Sequence, residues 1–241
     1  MDQKRIIDEF KELVSIEVHS RDERAIADVL KEKLTALGLT VTEDKAGEVL
    51  GGNTGNLYAQ LPGSTDGEPV LFSAHMDRVG NHGHIVPLVK EEEGKIVSDG
   101  TSILAGDDIG GVAAILAMLR EVKEKQIPHG PIEVAFSVCE ETGVEGSRQY
   151  DFSKFNAKSA FVYDASGKAG TIVLAAPSKG RVTIRVHGVT AHAGNEPEKG
   201  LNALKVAADL IMQLPDGRLS PVSTANFSII EAGSATNVVC D

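Results

Sequence analysis

Residues 132–147 read IEVAFSVCEETGVEGS, and this stretch decides the fold class that we expect for the chain. The mostly apolar run 132–138 has the length and composition of a buried strand. Cys139 and two adjacent glutamates, Glu140 and Glu141, follow it directly. Like charges this close repel each other, and a carboxylate beside an apolar core is costly unless a positive charge meets it. The pair therefore either points into solvent or faces a cation.

The bulk composition is that of a globular protein and excludes several classes of partner. Of 241 residues, 41% are hydrophobic and 24% are charged, and the formal net charge is -11. Nucleic acid and anionic membranes are poor partners for so acidic a chain. The N-terminal stretch is charged and amphipathic, unlike a signal peptide, and no apolar run is long enough to cross a bilayer. We therefore expect a cytoplasmic protein without nucleic-acid or membrane partners.

Helical and strand patterns alternate along the first part of the chain, which predicts an α/β domain with a mostly parallel sheet. Apolar spacing predicts helices over residues 3–18, 20–38 and 108–125. Ser20 and Glu23 have the spacing of a capping box at the start of the second helix. Besides 132–138, the predicted strands are LTVTED, GNLYAQL, PVLFSAHMD, SAFVYDA and TIVLAAP. The acidic stretch EEEG at 91–94 is typical of a solvated hairpin turn.

The pattern changes near Pro177. KGRVTIRVHGV alternates cleanly between apolar and polar residues, as a half-exposed strand does. A predicted helix, GLNALKVAADLIMQL, and a predicted strand, STANFSIIEAG, follow it. We therefore expect an α/β domain over residues 1–177 and the opening of a smaller α+β domain over 178–241.

Polar side chains capable of binding a metal stand at the ends of four predicted elements. They are His75 and Asp77, Asp107 and Asp108, Glu140 and Glu141, and Asp164. Each group alone has an ordinary explanation as a loop pair, a helix N-cap or a turn. Ligands of open α/β sheets, however, bind outside the carboxyl ends of the strands. The joint placement of these residues at that edge favours a metal site.

A pair of divalent ions suits this set of donors. Zinc accepts imidazole nitrogen and carboxylate oxygen, and two ions about 3.5–4 Å apart share a bridging carboxylate. His75 and Asp77 point to the same side of a strand, so Asp77 can orient the imidazole. Of Glu140 and Glu141 only one need bind metal, and the other can be the base that deprotonates the attacking water.

Five sequence motifs connect the chain to a known family. In chain order they are SAHMDRV, DGTSILAGDDIGG, SVCEETGVEGS, VYDASG and GVTAHAGNEPEKGLNA. With them the chain resembles the M20 metallopeptidases, specifically the peptidase T-like tripeptidase branch, over nearly all of its length. The resemblance implies a di-zinc catalytic domain with an inserted lid domain, Co²⁺ or Mn²⁺ as substitutes for zinc, a short peptide as substrate, and a homodimer formed through the lid.

The resemblance also implies which residues hold the metals. His75 and Asp164 correspond to ligands of one zinc ion. Asp107 corresponds to the bridging aspartate, and Glu141 to the ligand of the second zinc ion.

Further roles follow from the same resemblance. Asp77 corresponds to the residue that orients the metal-binding histidine, and Glu140 to the general base. His192 corresponds to the lid histidine that stabilises the oxyanion. Asn237 lies in a lid segment that contacts substrate.

The sequence departs from the family pattern in two places. Ile109 stands where a lysine is common, which removes a positive charge but no ligand. The family's last zinc ligand is a histidine near the C-terminus, and no histidine here takes that position; His82 and His84 read as parts of a polar loop. We therefore expect a chain truncated at its C-terminus, with an incomplete lid, without the last catalytic strand and helix, and with the fifth metal ligand missing.

Three functions remain open from the sequence. The first is a zinc-dependent aminopeptidase that hydrolyses the N-terminal peptide bond of tripeptides by metal-activated water. The second is an M20 amidohydrolase or carboxypeptidase that acts on N-acyl amino acids. The third is a non-catalytic fragment, because the last metal ligand is absent.

Overall fold

The computed structural model describes residues 2–80, 83–168 and 170–241. His82, predicted as a loop residue, lies outside the described residues. The chain separates into two compact units, Met1–Lys168 and Ala169–Asp241. Residues 170–188 form no helix or strand, so the predicted domain change after residue 177 stays a prediction.

The first unit combines helices with a central sheet. Its α-helices are α1 (Gln3–Val14), α2 (Arg24–Ala36), α3 (Ala46–Leu50) and α4 (Gly106–Glu124). Its strands are β1 (Thr40–Glu43), β2 (Leu57–Leu61), β3 (Val70–His75), β4 (Pro87–Lys90), β5 (Lys95–Ser98), β6 (Ile132–Ser137) and β7 (Ser159–Val162). Within the described ranges, no helix is both long and apolar enough to cross a bilayer.

Five of these strands form one sheet in the order β1-β2-β6-β3-β7. β3 runs parallel to both of its neighbours, β6 and β7, whereas β2 runs antiparallel to β1 and β6. Every strand of this sheet except β2 therefore points the same way, which confirms a mostly parallel α/β sheet. The consequence for the site is that β3, β6 and β7 all end at the same edge.

The core lies between this sheet and the helices. All six residues of β6 are buried, as the apolar run predicts for a central strand. On α4 the buried residues include Ile109, Val112, Leu116 and Leu119, at helical spacing. Ile109 is 1% exposed, so its side chain is part of the apolar core.

The predicted capping box at the second helix is wrong. α2 begins at Arg24, and Glu23, at the N-cap position, makes no side-chain hydrogen bond to the helix. The first-turn amide of Arg24 instead donates to the Asn53 side chain, at 3.0 Å. The Ser20 and Glu23 side chains turn towards the ends of β3 and β6, because tertiary partners there outcompete the local cap.

β4 and β5 form a separate antiparallel hairpin. A 3₁₀ turn, Glu91–Glu93, joins them, and Gly94 closes it in the left-handed conformation. The turn contains no buried residue, which confirms the predicted solvated hairpin turn.

The second unit contains α5 (Ala203–Gln213), β8 (Gly217–Ser220) and β9 (Ser223–Ala225). The helix is confirmed, and the Asn202 side chain caps it by accepting from the amides of Leu204 and Lys205. The strands predicted at TIVLAAP and KGRVTIRVHGV are wrong, since their residues are in no strand. Apolar alternation is not sufficient for a strand without a paired neighbour.

Candidate metal centre

Imidazole and carboxylate side chains from four elements meet at the carboxyl edge of the sheet. His75 is the last residue of β3, Asp107 lies in the first turn of α4, and Glu140 and Glu141 follow β6. Asp164 follows β7. These five residues are named the acidic centre below.

The ligand atoms of the acidic centre fall into two groups that share one residue. His75, Asp107 and Glu141 form one group, and His75, Glu140 and Asp164 form the other. Within each group the ligand atoms lie within 4.8 Å of one another. Two atoms bound to one zinc ion at about 2.1 Å stand roughly 3–3.5 Å apart, and Nε2 of His75 is 3.0 Å from Oδ1 of Asp107. The His75–Asp107 pair is thus spaced as two ligands of a shared cation would be.

The His75 ring is fixed by contacts on its other side. Its Nδ1 atom is 2.9 Å from the backbone carbonyl oxygen of Asp77 and 3.4 Å from Oδ1 of that residue. The backbone N–H of His75 donates to Oδ2 of Asp108, at 3.1 Å. Because the ring is 2% exposed, these contacts leave Nε2 directed at Asp107. Asp77 therefore contacts the ring through its main chain more closely than through its carboxylate.

The Asp77 carboxylate links the ends of two strands. It is fully buried, and it accepts the backbone N–H groups of Glu140 at 2.9 Å and Glu141 at 3.1 Å. The hydroxyl of Ser20 donates to it as well, at 2.6 Å. The residue that follows β3 thus holds the glutamate pair that follows β6.

Strained backbone precedes both acidic pairs. Ala105, two residues before Asp107, has φ 55°, and Cys139, immediately before Glu140, has φ 51°. A non-glycine residue in the left-handed region costs on the order of 1–3 kcal/mol and persists only when its surroundings enforce it. Both turns therefore depend on the contacts around them.

A glycine allows α4 to approach the end of β7. A methyl group at Gly111 would overlap the Asp108 carboxylate and the Tyr163 carbonyl oxygen. Tyr163 directly precedes Asp164. Gly111 therefore permits the close approach that places Asp107 and Asp164 in the same centre.

The positive charge of His75 does not balance the carboxylates of the centre. Burial, reinforced by neighbouring carboxylates, raises the pKa of Glu140, Glu141 and Asp164, and the opposing charge of His75 does not compensate. Burial raises the pKa of Asp108 to about 8, with the charges of Asp164 and Asp107 adding to it against His75. A divalent cation at this edge would relieve that repulsion.

Among the described residues, His75 supplies the positive charge next to these carboxylates. Burial opposes its charged form, but the hydrogen bond and charge of Asp77 and the charge of Asp108 raise the pKa of His75 to about 10. A metal ion needs the deprotonated imidazole and would displace that proton. One nitrogen and several oxygen donors, with an oriented imidazole, fit a zinc site.

The two site residues predicted in the second unit lie side by side. His192 pairs with Val238 in an isolated β-bridge, and the Ala193 N–H donates to the carbonyl oxygen of Asn237, at 3.0 Å. Nδ1 of His192 accepts the N–H groups of Gly194 at 3.1 Å and Asn195 at 3.2 Å. An Nδ1 that accepts twice leaves the proton on Nε2, so the ring presents an N–H donor there.

Sequence reasoning missed several residues that support the centre. Asp108 stands next to Asp107 in the sequence, which does not predict its contact with the His75 backbone. The spacing of Ser20 and Glu23 predicts only a helix cap. Arg78 is 1% exposed and donates to the carbonyl oxygens of Val14 and Val18, which ties the loop after β3 to the end of α1. The sequence shows a charged residue, Arg78, next to the His75–Asp77 motif. Its charge alone does not predict that the side chain is buried.

Two family models match the chain. The model described as peptidase family M28 matches residues 56–196, which include the whole acidic centre. The model described as a peptidase dimerisation domain, of M20 type, matches residues 177–241.

Similar proteins cover the full length of the chain. The aminopeptidase PepT from Bacillus cereus is 41% identical with a TM-score of 0.84, and a tripeptidase from Staphylococcus aureus is 34% identical with a TM-score of 0.87. The protein YqjE of Bacillus subtilis is 39% identical over 241 residues. In all three comparisons 100% of this chain is covered, and the chain spans 64% of the length of the relative.

Proposed function

The chain belongs to the M20 family of peptidases, and on that premise we propose that it is a zinc-dependent aminopeptidase acting on tripeptides. The observation that carries the proposal is the convergence of His75 Nε2 and Asp107 Oδ1, 3.0 Å apart, among carboxylates with raised pKa values. The similar aminopeptidase PepT and the similar tripeptidase support the choice of substrate class.

The metal ligands in this proposal are His75, Asp107, Glu141 and Asp164. Zinc bound there would supply Lewis acidity, lowering the pKa of water and polarising the peptide carbonyl. Asp107 would hold zinc from the solvent side of the site because its side chain is 70% exposed, whereas His75, at 2%, would hold it from the buried side.

Glu140 is the general base in this proposal. Burial and the nearby charges of Asp164 and Asp77 raise its pKa, which brings it closer to the value that suits proton transfer near neutral pH. Its backbone N–H is held by Asp77, at 2.9 Å. The Glu140 carboxylate takes a proton from the attacking water and delivers it to the leaving amine.

His192 and Asn237 contribute from the second unit. The Nε2–H donor of His192 would stabilise the negative charge that develops on the carbonyl oxygen. The backbone carbonyl oxygen of Asn237 accepts the Ala193 N–H. In this proposal Asn237 would contact the peptide substrate.

We also propose that the second unit forms a homodimer. The match of residues 177–241 to a peptidase dimerisation domain supports this. Apolar side chains on α5 are available for contact, since Leu204 is 45% exposed and Met212 is 83% exposed.

The test compares two substrates with and without zinc. A free-amine tripeptide and an N-acetylated amino acid are incubated with the chain, with its zinc-stripped form, and with Glu140→Ala. We expect zinc-dependent release of the N-terminal residue from the tripeptide. Glu140→Ala should lower kcat by roughly 10²–10⁴-fold while zinc still binds.

Other results would contradict the proposal. Hydrolysis of the acetylated compound alone would favour the amidohydrolase or carboxypeptidase function. Zinc binding without hydrolysis of either compound would favour the non-catalytic fragment. Activity of Glu140→Ala within a few-fold of the parent would exclude Glu140 as the base.

A further inference from the structure

The connection between α1 and α2 carries two side chains that reach the acidic centre from behind. The Ser20 hydroxyl donates to Oδ2 of Asp77, at 2.6 Å, across 57 positions of sequence. Oε1 of Glu23 accepts the backbone N–H of Cys139, at 3.0 Å, across 116 positions. One short connection therefore contacts the residues that follow both β3 and β6.

Neither side chain serves the helix beside it. Glu23 sits at the N-cap position of α2 but makes no capping hydrogen bond. Asn53, from another part of the chain, accepts the Arg24 N–H in its place, at 3.0 Å. By contrast, the side chains of Asp2 and Asn202 do cap their own helices. The local function expected of a Ser-x-x-Glu sequence is thus absent from this pair.

Glu23 is costly to bury, which argues for a specific role. It is fully buried, and its Oε2 atom has no hydrogen-bond partner in the described part of the chain. Its Oε1 atom accepts the Arg21 N–H in addition to that of Cys139, both at 3.0 Å. A buried carboxylate with one unpaired oxygen destabilises a fold unless it enforces something else.

The backbone that Glu23 enforces is that of Cys139. Cys139 has φ 51°, a conformation that a non-glycine residue adopts only under constraint. The turn at Cys139 directs the next two residues, Glu140 and Glu141, away from β6, and their N–H groups then bind Asp77. Ser20 holds the same Asp77 carboxylate from its other side. Asp77, Cys139, Ser20 and Glu23 therefore form one connected network under the glutamate pair.

We propose that Ser20 and Glu23 are positioning residues of the metal centre: Ser20 fixes the Asp77 carboxylate, and Glu23 fixes the Cys139 turn. Neither residue touches metal or substrate. This inference rests on the proposed function for its catalytic meaning, but the network itself can be tested without turnover. Partners that orient metal ligands in this way typically change metal affinity or activity by roughly 10–100-fold when they are removed.

The experiment measures zinc affinity by titration calorimetry and amide hydrogen exchange in the zinc-free chain. The variants are Ser20→Ala, Ser20→Thr, Glu23→Ala and Glu23→Gln. Thr keeps the hydroxyl, and Gln keeps an oxygen that accepts the Cys139 N–H. We expect Ser20→Ala and Glu23→Ala to weaken zinc binding roughly 10–100-fold and to speed exchange at the Cys139, Glu140 and Glu141 amides. Ser20→Thr and Glu23→Gln should restore both within a few-fold.

Glu9→Ala is the matched control. Glu9 is 6% exposed and, like Glu23, has an Oε2 atom without a hydrogen-bond partner among the described residues, but its Oε1 atom pairs with Arg120 at 2.6 Å. Arg120 and Ile109 are about 16 Å apart along the axis of α4. Arg120 is therefore well away from the centre. Loss of this carboxylate should lower stability without changing zinc affinity or exchange at residues 139–141.

The outcomes separate this inference from the proposed function. If Glu23→Ala behaves as Glu9→Ala does in both measurements, the positioning role is wrong. Equal losses of zinc affinity in Glu23→Ala and Glu23→Gln would show that the charge of Glu23 matters rather than its contact with the Cys139 amide. That result would also overturn the positioning role. If Glu23→Ala does not fold, the comparison of Ser20→Ala with Ser20→Thr decides. A parent chain that binds no zinc would refute the proposed function, and hydrogen exchange would still decide the inference.

Discussion

Nε2 of His75 and Oδ1 of Asp107 lie 3.0 Å apart, although 32 positions of sequence separate the two residues. The His75 side chain is 2% exposed and is fixed by the core, whereas the Asp107 side chain is 70% exposed. A rigid imidazole thus faces a carboxylate that is accessible to solvent, and both belong to the same group of ligand atoms. This pairing makes His75 the residue on which the whole centre depends.

Replacing His75 should therefore remove more metal than replacing any carboxylate. We expect the parent chain to bind zinc through His75, Asp107, Glu141 and Asp164, His75→Ala to weaken that binding most because it removes the nitrogen donor of the set, and Glu141→Ala to weaken it less. Titration calorimetry gives the zinc affinity, and Asp99→Ala, which removes a carboxylate outside both groups, is the control. Zinc binding by His75→Ala as tight as that of the parent would contradict the role of His75 as a ligand.

Gly111 and its neighbour Gly110 offer a matched pair of helix substitutions. Gly111→Ala should destabilise the fold by about 1–3 kcal/mol because the added methyl group overlaps the Asp108 carboxylate and the Tyr163 carbonyl oxygen. Gly110→Ala meets open space and should instead stabilise α4 by roughly 0.5–1 kcal/mol. Urea unfolding compares the two variants. Equal effects on stability would show that α4 does not approach the end of β7 as closely as described.

Stability should fall in acid through Glu43. Hydrogen bonds from Arg24, outweighing burial and joined by Lys31, hold the pKa of Glu43 well below its usual 4.5. The folded state therefore binds this proton more weakly than the unfolded state does, so the contribution is complete above about pH 4.5 and is lost as the pH falls through the folded-state pKa. Glu43→Gln should lose about 1–3 kcal/mol near pH 7, and the difference from the parent should shrink below pH 4.5. Urea midpoints measured from pH 7 to pH 3 test this, with the exposed Glu48→Gln as the control.

His192 should carry its proton on Nε2 when it is neutral. Its Nδ1 atom accepts the N–H groups of Gly194 and Asn195, which excludes a proton on that nitrogen. Nitrogen-15 NMR of the imidazole distinguishes a protonated from an unprotonated ring nitrogen. We expect the Nδ1 signal of His192 to be that of an unprotonated nitrogen, with His187 as the reference ring. A protonated Nδ1 would contradict the hydrogen bonds described for this turn.

The sequence was sufficient to predict that the side chains of the acidic centre lie close together. The strands that end before His75 and Glu140 are short, apolar and buried, and such strands in a parallel sheet end at one edge. The antiparallel direction of β2 could not be predicted in this way, because pairing direction depends on neighbours that are remote in sequence. The strands predicted over 171–189 failed for a related reason: alternation defines the faces of a strand but supplies no partner.

Ser20 and Glu23 show a second limit. Their spacing is identical in a helix cap and in the network under the glutamate pair, so only tertiary structure distinguishes the two. What decided the outcome was Asn53, which accepts the first amide of α2 and frees the Glu23 carboxylate. No property of residues 20–23 alone carries that information.

The positions of Ser20 and Glu23 matter when this protein is shortened or when its acidic centre is transferred to another protein. The segment that matches the M28 family model starts at residue 56 and contains every residue of the acidic centre. Excising it as a minimal module would retain all five residues of the acidic centre and discard α1, α2 and their connection. Asp77 would then lose a hydrogen-bond donor and the Cys139 amide its acceptor. Domain boundaries for engineering are therefore better drawn by following buried hydrogen bonds outward from the ligands than by the extent of motif similarity.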